Sequence, residues 1–140
     1  MRRAIHSVLL LLLAMLAQAQ KPRPFMGYIY NKEYDVYIQM DFYQNSVMVP
    51  GQAIFGQLPG YFGDKKDGRK WLFTSAKVKG SQASLAITND YGSEDLTATL
   101  TCTSDSTFTL HQDKGSTLKI ARNGHWTKIP KELTFIRHFR

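Results

Sequence analysis

Apolar and polar residues alternate along most of this chain. Tyr34, Val36, Ile38, Met40 and Phe42 fall on one side of an extended backbone, and Asp35, Tyr37, Gln39 and Asp41 fall on the other. A period of two predicts a half-buried strand, because successive side chains point to opposite faces. The same pattern predicts strands over residues 25–30, 34–42, 46–49, 52–58, 71–78, 82–89, 96–103, 107–112, 117–122 and 133–138, with Pro50-Gly51 breaking the third from the fourth. Leu96, Ala98, Leu100 and Cys102 share an inward face, with Thr97, Thr99, Thr101 and Thr103 opposite them. Phe108, Leu110, Leu118 and Ile120 continue that face. No window sustains a 3.6-residue period, and residues 130–133 allow a single helical turn at most.

The links between these segments are short and carry turn chemistry. Asp67-Gly68, Lys79-Gly80-Ser81, Ser104-Asp105-Ser106, the run 113–116 and Asn123-Gly124 all supply residues that tolerate positive φ. Short links make successive strands antiparallel neighbours. The expected fold is therefore all-β: an antiparallel up-and-down meander of about eight or nine strands, closed into a barrel so that no edge is left open. A β-sandwich is the alternative.

The N-terminus breaks the alternation. Arg2-Arg3, an apolar run over residues 8–16 and Ala17-Gln18-Ala19 stand in the order of a secretory signal peptide. The run falls short of the roughly 20 apolar residues that span a bilayer. The expected organisation is a signal peptide at 1–19, an extended proline-bearing leader at 20–24 and one β domain at 25–140. Export to the periplasm or the exterior follows, with no stable membrane anchor after cleavage. Gln20 stands where a lipoprotein would carry its cysteine. Ala4-Ile5-His6 does not continue Arg2-Arg3 as a twin-arginine signal would.

Losing Arg2 and Arg3 lowers the formal net charge from +7 to +5. The remaining charges are scattered apart from one cluster, so nucleic acid is not an expected partner. The single cysteine, Cys102, rules out an internal disulfide and a cysteine-based zinc site. Its place in the alternation makes it a small core residue.

The exported single-domain meander resembles the lipocalin-type (calycin) barrels and the small secreted β-proteins of Gram-negative anaerobes. The likeness runs over the whole mature chain as a pattern of strands and implies a closed barrel. Phe25-Met26-Gly27-Tyr28 has the glycine of the lipocalin Gly-x-Trp, but Tyr28 follows it directly and no Trp stands there. No ligand residues are carried over from that family.

The chain offers little for catalysis. No Gly-x-Ser-x-Gly is present. His111, His125 and His138 lie on three separate segments, so neither a metal nor a cofactor is expected. Asn89, Asp90, Glu94 and Asp95 form an acidic loop around Tyr91-Gly92 that could offer oxygen ligands to calcium, without EF-hand spacing; a solvated turn is the simpler reading. Asp35 and Asp41 would stand about 20 Å apart along one strand, too far for a glycosidase pair.

Two neighbouring stretches are candidates for binding. Residues 50–63 interleave glycines with Phe55, Tyr61 and Phe62, which suits either a barrel corner or an aromatic lip. Lys65, Lys66, Arg69 and Lys70 follow as a basic hairpin tip. All seven tyrosines precede residue 92, which biases a site toward the same region. The expectation is a non-enzymatic binding protein that takes a small apolar ligand in the barrel, or an anionic glycan or acidic protein surface at its rim. An inhibitor or interaction module working through loops is the alternative, and a small hydrolase the third. Eight strands enclose a space that side chains can fill completely. A filled barrel would favour the rim.

Overall fold

The structure, a computed structural model, describes residues 23–138. The expected signal peptide at 1–19 and the first three leader residues lie outside the described residues. Twelve strands run in the order β1 (Met26–Asn31), β2 (Val36–Asp41), β3 (Val47–Met48), β4 (Gln57–Leu58), β5 (Gly60–Asp64), β6 (Trp71–Lys79), β7 (Gln82–Asn89), β8 (Asp95–Cys102), β9 (Thr107–Gly115), β10 (Lys119–Arg122), β11 (His125–Lys128) and β12 (Glu132–Ile136).

Eight of them close an antiparallel barrel in the order β1-β12-β9-β8-β7-β6-β5-β2. Sequence neighbours in the barrel are spatial neighbours, so the fold is the expected up-and-down closed barrel and not a sandwich. This is the architecture that the lipocalin likeness implies. The remaining strands form two small ladders outside the wall, β3-β4 and β10-β11.

Alternation fills the barrel. Ile29, Ile38, Met40, Phe62, Phe73, Ile87, Leu100, Phe108, Leu110 and Phe135 are all sealed from solvent inside it. Phe25, Phe42, Phe73 and Phe108 pack ring against ring at one end, at centroid distances of 5.6 to 6.1 Å. Leu118, Ile120 and Ile129, from the base of the β10-β11 hairpin, join the same core at the other end. Both ends are thus stoppered by apolar side chains. Cys102 packs half-buried against this core.

Four polar side chains are buried among the described residues, and each braces a turn or crossing. Asp41 is one. Alternation assigned it to the wet face, but its carboxylate accepts the N–H groups of Tyr43 and Gln44 and the Ser46 hydroxyl, at 2.7 to 3.1 Å. Asn31 donates across the β1-β12 seam to the Thr134 carbonyl and accepts from the Tyr34 N–H. Gln112 accepts from the Leu118 N–H and donates to the Ile129 and Pro130 carbonyls, which steers the chain into the hairpin and back. Buried polar groups are tolerated where they are paired in this way.

Several expected boundaries move. Asp35 lies in the β1-β2 turn at φ 57° instead of opening the strand. The segment 52–56 is a loop; only Gln57–Leu58 pairs, with Val47–Met48. Residues 113–115 extend β9 through a bulge opposite Thr97 and Ala98 instead of turning. Residues 130–133 form no helical turn, and β12 begins at Glu132. Asn123-Gly124 does make the expected tight hairpin, with both residues at positive φ and Arg122 paired to His125.

Strand β5 was hidden by its glycines. A Cβ on Gly60 would collide with the Gln39 carbonyl, and one on Gly63 with the Tyr37 ring. The strand can approach β2 only because both are glycine. The Tyr37 ring lies over Gly63, between Tyr28 at 5.2 Å and Tyr61 at 5.8 Å. An aromatic laid over a strand glycine covers backbone that would otherwise be bare.

Candidate functional site

A cleft of about 210 Å³ opens at the end of the barrel that carries the β10-β11 hairpin. Three connections meet there: the β5-β6 loop with Asp67, Arg69 and Lys70, the β7-β8 turn with Asp90, Tyr91 and Ser93, and the hairpin with Ala121 and Trp126. Phe62, Trp71 and Ile120 form its apolar floor.

Each wall has a local cause. In the β7-β8 turn, Asn89 is buried and its side-chain oxygen accepts the N–H groups of Ser93 and Glu94, at 2.9 and 3.2 Å. Its amide nitrogen donates to the Ser93 hydroxyl. An inward asparagine of this kind stands in for a backbone turn, and it leaves Tyr91 80% exposed. The β5-β6 loop is tied to this turn: the Lys70 N–H donates to Asp90 Oδ2 at 3.1 Å, and the Asp90 N–H donates to the Lys70 carbonyl.

The hairpin is held from below and behind. The Trp71 indole N–H donates to the Lys119 carbonyl at 3.2 Å. The Arg122 guanidinium grips Asp64 with two hydrogen bonds and donates to the Tyr34 carbonyl as well. Hydrogen bonding to Asp64 raises the Arg122 pKa against the opposing effect of burial, so its charge is permanent. Held in this way, the hairpin presents Trp126 58% exposed at the cleft mouth.

The charges around the cleft are matched. Asp67 pairs with Arg69 at 2.7 Å, Glu94 with Lys119 at 2.9 Å, and Asp64 with Arg122. Arg69 and Lys119 also lie against the Trp126 ring, 5.1 and 5.9 Å from its centroid. Lys70 and Asp90 add one charge of each sign without forming an ion pair, the Lys70 ammonium donating to the Gly68 carbonyl, so the local charges sum to zero.

The residues expected to bind are divided. Phe62, Arg69 and Lys70 come together at the cleft, with Phe62 only 1% exposed as part of the floor. Lys65 turns to the other side, its ammonium 4.1 Å from the Tyr30 ring. Lys66 is exposed beside it, with its N–H on Asp64 Oδ1. Tyr61 is buried beneath the β3-β4 ladder with Val49, Leu58 and Leu72. Phe55 stands 48% exposed on the β3-β4 loop. Lip and basic tip therefore do not form one surface.

Trp71, Tyr91, Ser93, Lys119 and Trp126 were not anticipated. One signal pointed to Trp126: an indole three residues after Asn123, on a short hairpin whose neighbours His125, Thr127 and Lys128 are polar. The rest needed the topology, since the cleft joins three separate segments of the chain, within 62–71, 89–94 and 119–126.

The acidic loop does not converge. Asn89 turns inward, Asp90 accepts the Lys70 backbone N–H, and Glu94 pairs with Lys119. Among the described residues no three His, Cys, Asp or Glu side chains gather into a group that could hold a metal ion. His111 lies between Glu132 at 3.0 Å and Asp113 at 3.7 Å on the outer wall, away from the cleft.

No family model, no curated protein and no solved structure matches this chain.

Proposed function

We propose that this protein is an exported, non-enzymatic binding module that engages its ligand or partner at one end of the barrel, in the cleft between Trp126 and Tyr91. The observation that carries this reading is the contrast between the barrel interior and the rim cleft. The barrel interior is occupied by side chains sealed from solvent, whereas the rim holds an open, aromatic-sided cleft. Concave sites with an apolar floor and a few placed polar groups are where ligands bind. Exposed Trp and Tyr bring large, rigid contact area at small entropic cost. The lipocalin likeness enters as architecture alone, since a filled barrel leaves no room for an interior apolar ligand.

The test is small-molecule mass spectrometry on protein exported through its own signal sequence. Rim binding predicts no lipid or other apolar molecule carried at one per chain. Recovery of such a molecule in stoichiometric amount would overturn it.

A second reading has its own observation. The β3-β4 loop ends in Ile54 and Phe55, which are 93% and 48% exposed. The Gln52 side chain braces this tip, accepting the Phe55 N–H and donating to the Gly56 carbonyl. A braced apolar tip suits an inhibitor or interaction module that inserts into a partner's pocket. Loss of partner binding on Ile54→Ser, with Trp126→Ala silent, would select this reading over the cleft.

A further inference from the structure

We infer that the rim cleft takes an uncharged saccharide, one ring of a neutral glycan lying against Trp126 or Tyr91; the inference rests on the rim-binding reading above. Three features of the cleft lead to it.

The first is the pairing of exposed aromatic faces with polar side chains of both kinds. Trp126 and Tyr91 flank the mouth, and Asp67, Asp90, Ser93, Glu94 and Lys70 lie between or beneath them. A pyranose ring presents a patch of C–H groups on one face, which suits the electron-rich face of an aromatic ring. Its hydroxyls around the edge each donate and accept. Carboxylates and hydroxyls beside ammonium and guanidinium groups meet both needs. A purely apolar ligand would displace the water around these groups and offer no hydrogen bond in its place.

The second is charge. Cations and anions at the cleft are matched in number: Asp67–Arg69, Glu94–Lys119 and Asp64–Arg122 are paired, and Asp90 offsets Lys70, whose ammonium donates to the Gly68 carbonyl. An anionic glycan or an acidic peptide would meet as many carboxylates as cations. Recognition of a charged partner rests on complementary potential, and this cleft has none to offer.

The third is size. The cleft, at about 210 Å³, is smaller than the roughly 300–1,000 Å³ of pockets that enclose whole drug-sized ligands. It fits one ring of a longer chain whose remainder stays in solvent.

The experiment uses the mature chain. Calorimetry and tryptophan fluorescence follow titration with a panel of neutral oligosaccharides (gluco-, xylo-, manno- and N-acetylglucosamine oligomers), with heparin and an acidic peptide as charged comparators. Each ligand is measured at low and high salt and repeated on Trp126→Ala and Tyr91→Ala. Both side chains are exposed, so thermal melts of the variants serve as the control for folding. The inference expects saturable binding of at least one neutral oligosaccharide, nearly independent of salt because no net charge is screened. It expects that binding to weaken about tenfold or more in at least one of the two variants, the one that removes the ring the sugar lies against. Failure of every neutral oligosaccharide to bind overturns the saccharide inference. If heparin or the peptide binds instead and is lost in Trp126→Ala, the saccharide is wrong and the rim reading stands. If a neutral oligosaccharide binds but both variants bind it as well as the parent does, the rim reading itself is wrong.

Discussion

Asp64 and Arg122 form a two-pronged ion pair, with Nη1 2.6 Å from Oδ2 and Nη2 2.8 Å from Oδ1. The pair joins the end of β5 to the end of β10, 58 residues apart. Its carboxylate side chain is 4% exposed and its guanidinium 20%. The guanidinium also donates to the Tyr34 and Ala121 carbonyls, at 2.7 and 2.8 Å. One side chain thus fixes the hairpin that carries Trp126 to two parts of the barrel rim. The planar fork of arginine makes such contacts, and lysine cannot reproduce them.

Asp64→Asn should therefore destabilise the fold by about 3 kcal/mol, because it leaves a largely buried guanidinium without its counter-charge. Arg122→Lys should lose much of the same stability despite keeping the charge. Urea denaturation measures both. A loss near zero for Asp64→Asn would mean that the hairpin is held by its apolar base alone.

Strand β2 tests the alternation directly. Ile38 is fully buried inside the barrel, while Gln39 is half-buried on the outer wall. Ile38→Asp should abolish folding, since an unpaired buried charge costs several kcal/mol against a total stability of about 5–15. Gln39→Asp should melt near the parent. Equal melting of the two variants would contradict the register of β1, β2 and β5.

Asp41 gives a dependence on pH. Burial pushes its carboxyl up, but hydrogen bonds from Ser46, Gln44 and Tyr43 and the charge of Arg23 outweigh this and hold its pKa below the ordinary value. A group whose pKa is depressed by folding adds stability above its unfolded pKa of about 3.9 and loses it as pH falls through the folded value. The stability of the parent should therefore fall as pH drops below about 4, and Asp41→Asn should fall less over that interval. Parallel curves for the two proteins would contradict this role.

The glycines of β5 make a contrast with those of the turns. Gly60→Ala would drive a methyl into the Gln39 carbonyl, which belongs to the backbone and cannot swing away. About 1–3 kcal/mol or more should be lost. Gly68→Ala, in open space without positive φ, should be close to neutral. Thermal melts compare them, and a harmless Gly60→Ala would mean that β5 does not pack against β2 as described.

Most of the barrel was legible because alternation and turn residues are local signals. Val36, Ile38 and Met40 point inward as their spacing says, and Asn123-Gly124 turns where its φ preference says. β5 was not legible, since four of its five residues are buried on both faces and glycine leaves no polar partner to mark a period. β11 was missed because only four residues pair and their faces are nearly all polar. Asp41 was misassigned because a short carboxylate that closes a turn has the same place in the alternation as one facing water. The candidate site was legible only in part. Arg69 and Lys70 were found from their clustering in sequence, but Tyr91, Lys119 and Trp126 reach them only when the barrel closes.

The most direct measurement is an amide shift map of the isotope-labelled protein over residues 20–140, titrated with palmitate, neutral oligosaccharides, heparin and an acidic peptide. Rim binding predicts that saturable shifts centre on Lys70, Tyr91, Ser93, Ala121 and Trp126. It also predicts that Ile38, Leu100, Phe108 and Leu110, which fill the interior, stay unmoved. Saturable shifts centred on those four core residues would contradict it, because they would mean that the barrel opens to hold its ligand inside.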